Sequence, residues 1–414
     1  MNTLPSKIKS YLTDPLYKNS LYILLSLIFG SFFGFIFWII AAVIYPEEFI
    51  GINTALISSI TLLAMLSYLG LDQSMIRFFP EGNKAKMFIT STLIVIITTI
   101  LAGIIFLIGI NIWSPELSII NENIFIFFIF LLAASLMNLP SNAFIALRQN
   151  KYYLFQSITM GIRVLLLFLT VSLGVLGIFY SYGISSIITF FFSFYFVYRF
   201  RMKSVKINKE IIDIEFLKKS FHFSTGNYII GVFTLAPVYL LPIIVLNTLG
   251  TESTAYYYIA YSIASLLFMI PMAFSTSLFV EGSHGESLKK NTLKSFLAIF
   301  SLLVPIALIL YFFGGFFLGL IGKGYIGGYG VLKAIAVASF FVAICQVYFS
   351  IKKVQKDIKS IILISALIFI LLIGLSYLLM LYYGIRGVGY AWIISYLAGN
   401  LIILINELFN SSFK

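Results

Sequence analysis

One arginine, Arg163, stands inside an otherwise apolar run, about ten positions into the stretch 153–176. Ten residues of helix rise about 15 Å, which is close to the middle of a hydrocarbon layer about 30 Å thick. A charge at that depth costs about 2.5–3.5 kcal/mol on insertion scales, so it must face a wet cavity, a ligand or a partner group. The chemistry it offers is that of a fixed cation for a diphosphate or an acidic sugar. The structural alternative is an ion pair with an acid on a neighbouring helix, or snorkelling. Lys333 lies one or two turns inside the run 328–350. It either guides an anionic substrate outward or reaches the outer headgroups on its long stem.

Other polar side chains in apolar surroundings suggest binding rather than catalysis. Asn138 and Asn142 flank Pro140, Asn227 and Tyr239 fall in the run 221–248, and Gln346 is in 328–350. Amides and aromatic faces can read sugar hydroxyls, but Asn and Gln in membranes also hydrogen-bond between helices. Asp72, Arg77 and Glu81 stand where the run 52–76 ends, and Glu281 holds the matching place after 255–280. They form either an inner gate of breakable ion pairs or an ordinary polar helix end; Arg148 and Lys151 carry the same ambiguity. Pro237 and Pro242 interrupt 221–248, where two missing backbone donors point to a hinge. Pro140, Pro271 and Pro305 mark kinks of the same kind.

These residues need a membrane around them. The chain has 414 residues, 61% hydrophobic and 10% charged, against about 25% charged in soluble domains. Too few polar groups exist to cover a water-soluble surface of this size. The net charge of +12 would suit nucleic acid in a soluble protein, but here the basic residues sit between apolar runs, so no nucleic-acid partner is expected. The single cysteine, Cys345, excludes an internal disulfide. The first apolar run is too long for the core of a cleaved signal peptide.

A membrane-crossing helix needs about 20 mostly apolar residues. Twelve such segments are legible, near 20–45, 52–76, 88–112, 123–147, 153–176, 178–198, 221–248, 255–280, 293–320, 328–350, 359–382 and 387–409. They are apolar on every face, which argues against the alternation of a β-barrel. Alternate connections hold 23 Lys and Arg on one side and 2, Lys323 and Arg386, on the other. By the positive-inside rule both termini face the cytoplasm of a multi-pass protein in the cytoplasmic membrane.

The chain also repeats itself. At a shift of 200, Thr54 meets Thr254, Ala64 meets Ala264, and Phe79-Pro80-Glu81-Gly82 meets Phe279-Val280-Glu281-Gly282. At a shift of 210, Gly174 meets Gly384, Gly177 meets Gly387, Tyr180 meets Tyr390 and Ser185 meets Ser395. Six segments per repeat is an even number, so the halves share one orientation, with the working site expected between them. The reading is an all-α integral membrane protein: an N-terminal six-helix lobe (1–200), a cytoplasmic linker (201–220) and a C-terminal six-helix lobe (221–414).

Three passages carry a family resemblance: Gly30-Ser31-Phe32-Phe33-Gly34; Tyr45-Pro46-Glu47-Glu48-Phe49-Ile50-Gly51; and Leu69-Gly70-Leu71-Asp72 through Arg77-Phe78-Phe79-Pro80. Together they resemble the N-terminal region of polysaccharide biosynthesis proteins, the Wzx-type oligosaccharide flippases of the multidrug/oligosaccharidyl-lipid/polysaccharide exporter superfamily. The stretch Gly322 to Ala336, with Tyr329-Gly330-Val331-Leu332-Lys333, is similar to that family's entry into its tenth helix. The resemblance implies a MATE-like alternating-access transporter. It would move a polyprenyl-diphosphate-linked oligosaccharide across the membrane while the lipid tail stays in the bilayer. Glycosyltransferases or a polymerase of the same pathway would be partners, and no cofactor is implied.

Rival readings are weaker. A cation-coupled drug exporter of the same superfamily usually holds an acid within its N-terminal half, yet residues 20–45 carry no charge. A lipid II flippase of that superfamily resembles fourteen helices with several arginines in the first of them. A membrane glycosyltransferase or polymerase usually has a large catalytic loop, and the longest connection here is about twenty residues; the chain is not read as an enzyme. Gly322-Lys323-Gly324-Tyr325-Ile326-Gly327 matches G-x-G-x-x-G but has no strand before it, and Gly328-Tyr329-Gly330 lacks the context of a potassium filter. There is no Walker A sequence, and His222 and His284 are too far apart to suggest a metal site. Cysteines at Lys323→Cys and Arg386→Cys are expected to react with an impermeant thiol reagent from outside intact cells, and Lys206→Cys to be protected; the opposite pattern would overturn the topology.

Overall fold

The computed structural model describes residues 15–80, 82–199, 212–283 and 287–412. Glu81, His284 and most of the linker 201–220 lie outside the described residues, as do the first fourteen positions. Among the described residues there is no strand, and nearly everything is helix. The helices are α1 (Pro15–Ile44), α2 (Glu47–Ser67), α3 (Leu71–Phe78), α4 (Lys84–Trp113), α5 (Ile124–Leu136), α6 (Asn138–Ala146) and α7 (Asn150–Met160). They continue as α8 (Arg163–Thr170), α9 (Gly177–Val197), α10 (Ile214–Ser283), α11 (Leu288–Ile321), α12 (Tyr329–Val354), α13 (Ile358–Tyr383) and α14 (Arg386–Ser412).

Among the described residues, ten stretches are long and apolar enough to cross a membrane. Two of them, Asn150–Val197 with 48 residues and Phe223–Phe279 with 57, would rise about 72 and 86 Å at 1.5 Å per residue. Each is therefore two crossings of a layer about 30 Å thick, which brings the total to the twelve expected. The crossings divide at glycines. Gly174 (φ 64°, ψ −133°) ends the first of the pair around α8, and Gly250 (φ 82°, ψ −178°) divides α10. Both angles lie where an L side chain is strained.

Four of the helices that enter from the side predicted to be cytoplasmic are capped by short polar side chains, while α7 has no side-chain cap. Asn83 accepts from Lys86 N (3.1 Å), Asp213 from Phe216 N (3.0 Å), Ser287 from Lys290 N (3.5 Å) and Asp357 from Ser360 N (3.2 Å). Each supplies one orphan donor of a first turn with an acceptor. The Ser360 hydrogen bonds, then Lys352 and Lys359, hold the Asp357 carboxyl below the usual carboxylate range.

The sequence repeat reappears in the backbone. Gly384 has φ 56° and ψ −147°, close to its counterpart Gly174. A second matched pair is basic: Arg148 (φ 54°) and Lys356 (φ 59°) are both left-handed. In each case the following amide closes the helix, from Gln149 N to Phe144 O (2.8 Å) and from Asp357 N to Lys352 O (2.9 Å). The left-handed residue itself donates three back, to Ile145 O and Lys353 O, both at 3.1 Å. This is the Schellman ending, which normally takes glycine.

The chain forms two compact units, one of Met1–Ala41, Ile60–Trp113 and Leu117–Thr225, the other of Ala42–Ser59, Ser114–Glu116 and Gly226–Lys414. The first is built around buried Met75, Phe79, Phe88, Leu139 and Phe144. In the second, Lys352 is buried and its ammonium reaches Glu407 at 3.1 Å and Asp357 at 3.9 Å, which ties α14 to the α12–α13 turn. The second unit also holds the start of α2. Glu47 accepts a hydrogen bond from the Tyr256 hydroxyl, and the Cα of Gly51 lies against the Thr251 backbone with no room for a side chain. This explains the Glu47–Gly51 part of the Tyr45–Gly51 passage as a docking surface.

Left-handed geometry costs an L residue about 1–2 kcal/mol, while glycine gives back part of that in backbone entropy. Arg148→Gly and Lys356→Gly are each expected to raise the thermal midpoint of the purified protein, by about 1 kcal/mol of stability. A lowered midpoint for both would show that the side chains hold these turns.

Candidate functional site

Arg163 is the first residue of α8, directly after a break in the fifth predicted crossing. Across Gly161 and Ile162 the hydrogen bonds tighten to the three-residue step: Gly161 N to Ile158 O (2.9 Å), Ile162 N to Thr159 O (3.0 Å) and Val164 N to Gly161 O (3.0 Å). A short tight stretch within a helix turns the side chains that follow it and releases carbonyls from the regular ladder. In hydrocarbon those carbonyls need a protein donor. Ser185 of α9 supplies one to Met160 O (2.9 Å), and Ser181 adds a donor to Arg163 O (2.6 Å), the first carbonyl of α8. The residue that carries the charge is thus pinned through its own carbonyl.

The guanidinium rests on α1. Its Cζ is 5.1 Å from the centre of the Phe37 ring, and Phe37 is fully buried. Gly34 lies directly beside it: a Cβ there would come within 3.2 Å of Arg163 Nη2. Two residues before the arginine, Gly161 has no room for a side chain because Phe33 fills the place, with the nearest ring atom 2.7 Å from a built Cβ. The Phe33 and Gly34 of the Gly30–Gly34 passage therefore form, with Phe37, the cradle of the arginine. A cation–π contact is worth about 0.5–2 kcal/mol, more as it is desolvated. The cradle offsets part of the cost of inserting the charge and keeps a half-buried cation in the first unit.

The other predicted side chains have varied surroundings. Asn138 donates to Tyr68 Oη (2.7 Å), and Tyr68 in turn donates to Ser135 O (2.8 Å); this amide joins α6 to α2's end. Asn142 is half-buried in α6. Asn227 is exposed on α10, and Gln346 is half-buried on α12 with its Oε1 enclosed. Pro237 and Pro242 are buried, and α10 keeps helical dihedrals through both, so the carbonyls of Phe233 and Val238 lose only their proline donors. Asp72 accepts from Gln73 (3.2 Å), Arg77 is exposed with its guanidinium 5.7 Å from the Phe78 ring, and Glu281 is exposed on α10. Lys333 is half-buried near the start of α12 and faces a cavity that Arg386 also lines.

Sequence reasoning passed over Gln156, which is buried. Its amide donates to Met137 O (2.6 Å), where α5 gives way to α6, and its oxygen accepts from Ser141 (2.9 Å). It also passed over the pair Ser74 and Ser224, whose hydroxyls meet at 2.5 Å. The signal for Gln156 was present: a lone amide seven residues before Arg163 in the same apolar run.

Residues 16–279 match the family model described as polysaccharide biosynthesis protein. The chain belongs to that family. A putative O-antigen transporter of Shigella flexneri is 24% identical over 239 residues, 56% of this chain and 55% of that relative; the chain thus spans about half the length of the curated relative it matches. Among solved structures, "Lipid II flippase MurJ, inward closed conformation" superposes with a TM-score of 0.75 at 16% identity, over 94% of this chain and 87% of the other. An inward-facing multidrug resistance MATE family transporter of the MOP superfamily gives 0.72 at 14% identity, over 92% and 95%. At these identities the likeness establishes the fold: this family member is a multi-pass helical membrane protein with the architecture of the MATE and MurJ structures.

If Phe37 holds the guanidinium, Phe37→Leu and Arg163→Leu should be coupled. In a double-mutant cycle on thermal unfolding, a coupling energy of about 2 kcal/mol is expected. Additive losses would show that the ring and the cation do not act together.

Proposed function

We propose that this chain is a flippase that carries a polyprenyl-diphosphate-linked oligosaccharide from the cytoplasmic to the external leaflet of the cytoplasmic membrane, for the synthesis of cell-surface polysaccharide. The single observation that carries the reading is the cradled Arg163, a cation held at mid-membrane depth by a buried ring and a serine-pinned helix break. A diphosphate or acidic sugar needs such a cation to leave water, because unsatisfied polar groups in hydrocarbon cost several kcal/mol each. The family assignment and the printed roles of the relatives, an O-antigen transporter and a lipid II flippase, agree with it.

In this reading both termini are cytoplasmic and the two six-segment halves, 1–200 and 221–414, work as lobes that open alternately. Asn138, Asn142, Asn227, Gln346 and Lys333 serve the passage of the sugar and its phosphates. Asp72, Arg77, Glu81 and Glu281 act at the inner gate, and Pro237 and Pro242 give the bend. Glycosyltransferases or a polymerase of the same pathway would supply and take up the lipid-linked sugar.

The test is a flipping assay in liposomes with a polyprenyl-diphosphate oligosaccharide, alongside an organic-cation dye. The wild type is expected to move the lipid-linked sugar. Arg163→Ala should reduce that movement to background with the folded yield unchanged, and Arg163→Lys should keep part of it. Normal flipping by Arg163→Ala would remove the arginine from the mechanism. Dye movement driven by a Na⁺ or H⁺ gradient, without lipid movement, would make the chain a drug exporter.

A further inference from the structure

A second cationic place lies far from Arg163 in the sequence; it shares Lys333 with the transport reading, but its binding of a phosphate does not require that transport. In the second unit a cavity of about 530 Å³ is lined by Tyr311 of α11, Tyr329, Gly330 and Lys333 of α12, and Arg386 and Tyr390 of α14. It holds two cations, and among the described residues no acidic side chain lines it. Lys333 and Arg386 on one wall repel each other, so the arrangement favours an anion in the cavity.

The geometry of both cations is built. The Lys333 ammonium lies between two rings, 4.3 Å from the centre of Tyr329 and 5.2 Å from that of Tyr311. The Tyr329 ring is fixed because its hydroxyl donates to Tyr311 O (2.8 Å) and Phe312 O (3.1 Å). The Arg386 stem lies directly on the backbone of α12 at Gly330, where a built Cβ would meet Cγ at 2.7 Å and Nε at 3.0 Å. Gly330 and Lys333 are three residues apart and share a helix face, so this one glycine brings the arginine to the face of the lysine.

The depth and surroundings define the ligand. Lys333 is the fifth residue of α12, about 6 Å along the helix from its start, and Arg386 is the first of α14. Tyr382 and Tyr383, just before Arg386, are exposed, and Phe312, Phe313 and Phe316 follow Tyr311 as exposed apolar side chains on α11. Tyrosines flank the hydrocarbon at the headgroup level. A half-buried lysine, an exposed arginine and tyrosine hydroxyls at that depth, opening onto an apolar wall, suit a group that is anionic at one end and apolar at the other.

We propose that Lys333 and Arg386 form a binding site for the phosphate of a lipid headgroup at the end of the second unit predicted to face outside. The phosphate can belong to a resident anionic phospholipid or to a lipid-linked sugar, and two arms of one experiment separate these. Full-length protein in detergent is titrated with short-chain phosphatidylglycerol, phosphatidylcholine, inorganic phosphate and a polyprenyl diphosphate, with binding read by native mass spectrometry. The wild type is expected to bind phosphatidylglycerol saturably and at least fivefold more tightly than phosphatidylcholine or inorganic phosphate. Lys333→Gln with Arg386→Gln should weaken it at least fivefold, and Gly330→Ala, which alters no charge, should weaken it by displacing Arg386. Loss of phosphatidylglycerol alone assigns the site to resident lipid; loss of the polyprenyl diphosphate as well assigns it to both. Should the double variant fail to fold, photocrosslinking of wild type by a phosphatidylglycerol probe is expected within 311–337 and 382–390. Undiminished binding by the double variant, no saturable binding by the wild type, or crosslinks only elsewhere would overturn the proposal.

Discussion

A carbonyl or amide that leaves its helical ladder inside hydrocarbon has no water to turn to. Another protein group must meet it, or the fold loses several kcal/mol. The structure around Arg163 follows from that constraint. The tight turn at Gly161 and Ile162 frees the Met160 carbonyl, which Ser185 receives, and Ser181, one helical turn earlier on α9, donates to the Arg163 carbonyl. Gln156 does the same work where α5 passes into α6 around Pro140. Ser181, Ser185, Ser186, Thr189 and Ser193 of α9 all have little or no exposed surface. Small residues of this kind let α9 approach closely, and Ser181 and Ser185 also serve the interrupted helix beside it.

The charge depends on the same arrangement. A guanidinium at mid-depth is tolerable only if something replaces water around it. Phe37 does so with its face, Gly34 by leaving room beside it, and the serine-pinned carbonyl by fixing where the side chain begins. Two segments more than a hundred residues apart in sequence thus depend on one another, and the glycine passage in α1 has a physical reason.

Much of this was legible in the text of the chain. Twelve apolar runs predicted twelve crossings, even where two pairs are nearly continuous helix, because a run of 57 residues cannot fit one bilayer. One glycine match at a shift of 210, Gly174 with Gly384, marked positions whose backbones do share a positive-φ turn. Arg163 stood out by its depth. What the text concealed were long-range partners: nothing in an apolar alphabet says that Phe37 rather than any other of 43 phenylalanines lies under the arginine. Arg386 read as a topology marker because its relation to Lys333 runs through Gly330, fifty-six residues away. Asn138 drew attention as an amide that could read sugar, and its hydrogen bond to Tyr68 is a contact that spacing cannot reveal.

The two left-handed basic residues have a consequence for how the protein is made. Arg148 and Lys356 occupy turns where glycine would be the relaxed choice. Each also lies in a short connection, where a positive charge is what the insertion machinery uses to keep a loop from being translocated. In the proposed orientation one residue answers to two readers at different times, first during synthesis and later in the finished fold, and the backbone strain is the trace of the earlier requirement. Variants that relieve it should fold more firmly once inserted yet emerge more often with that hairpin inverted, so yield and stability would move in opposite directions.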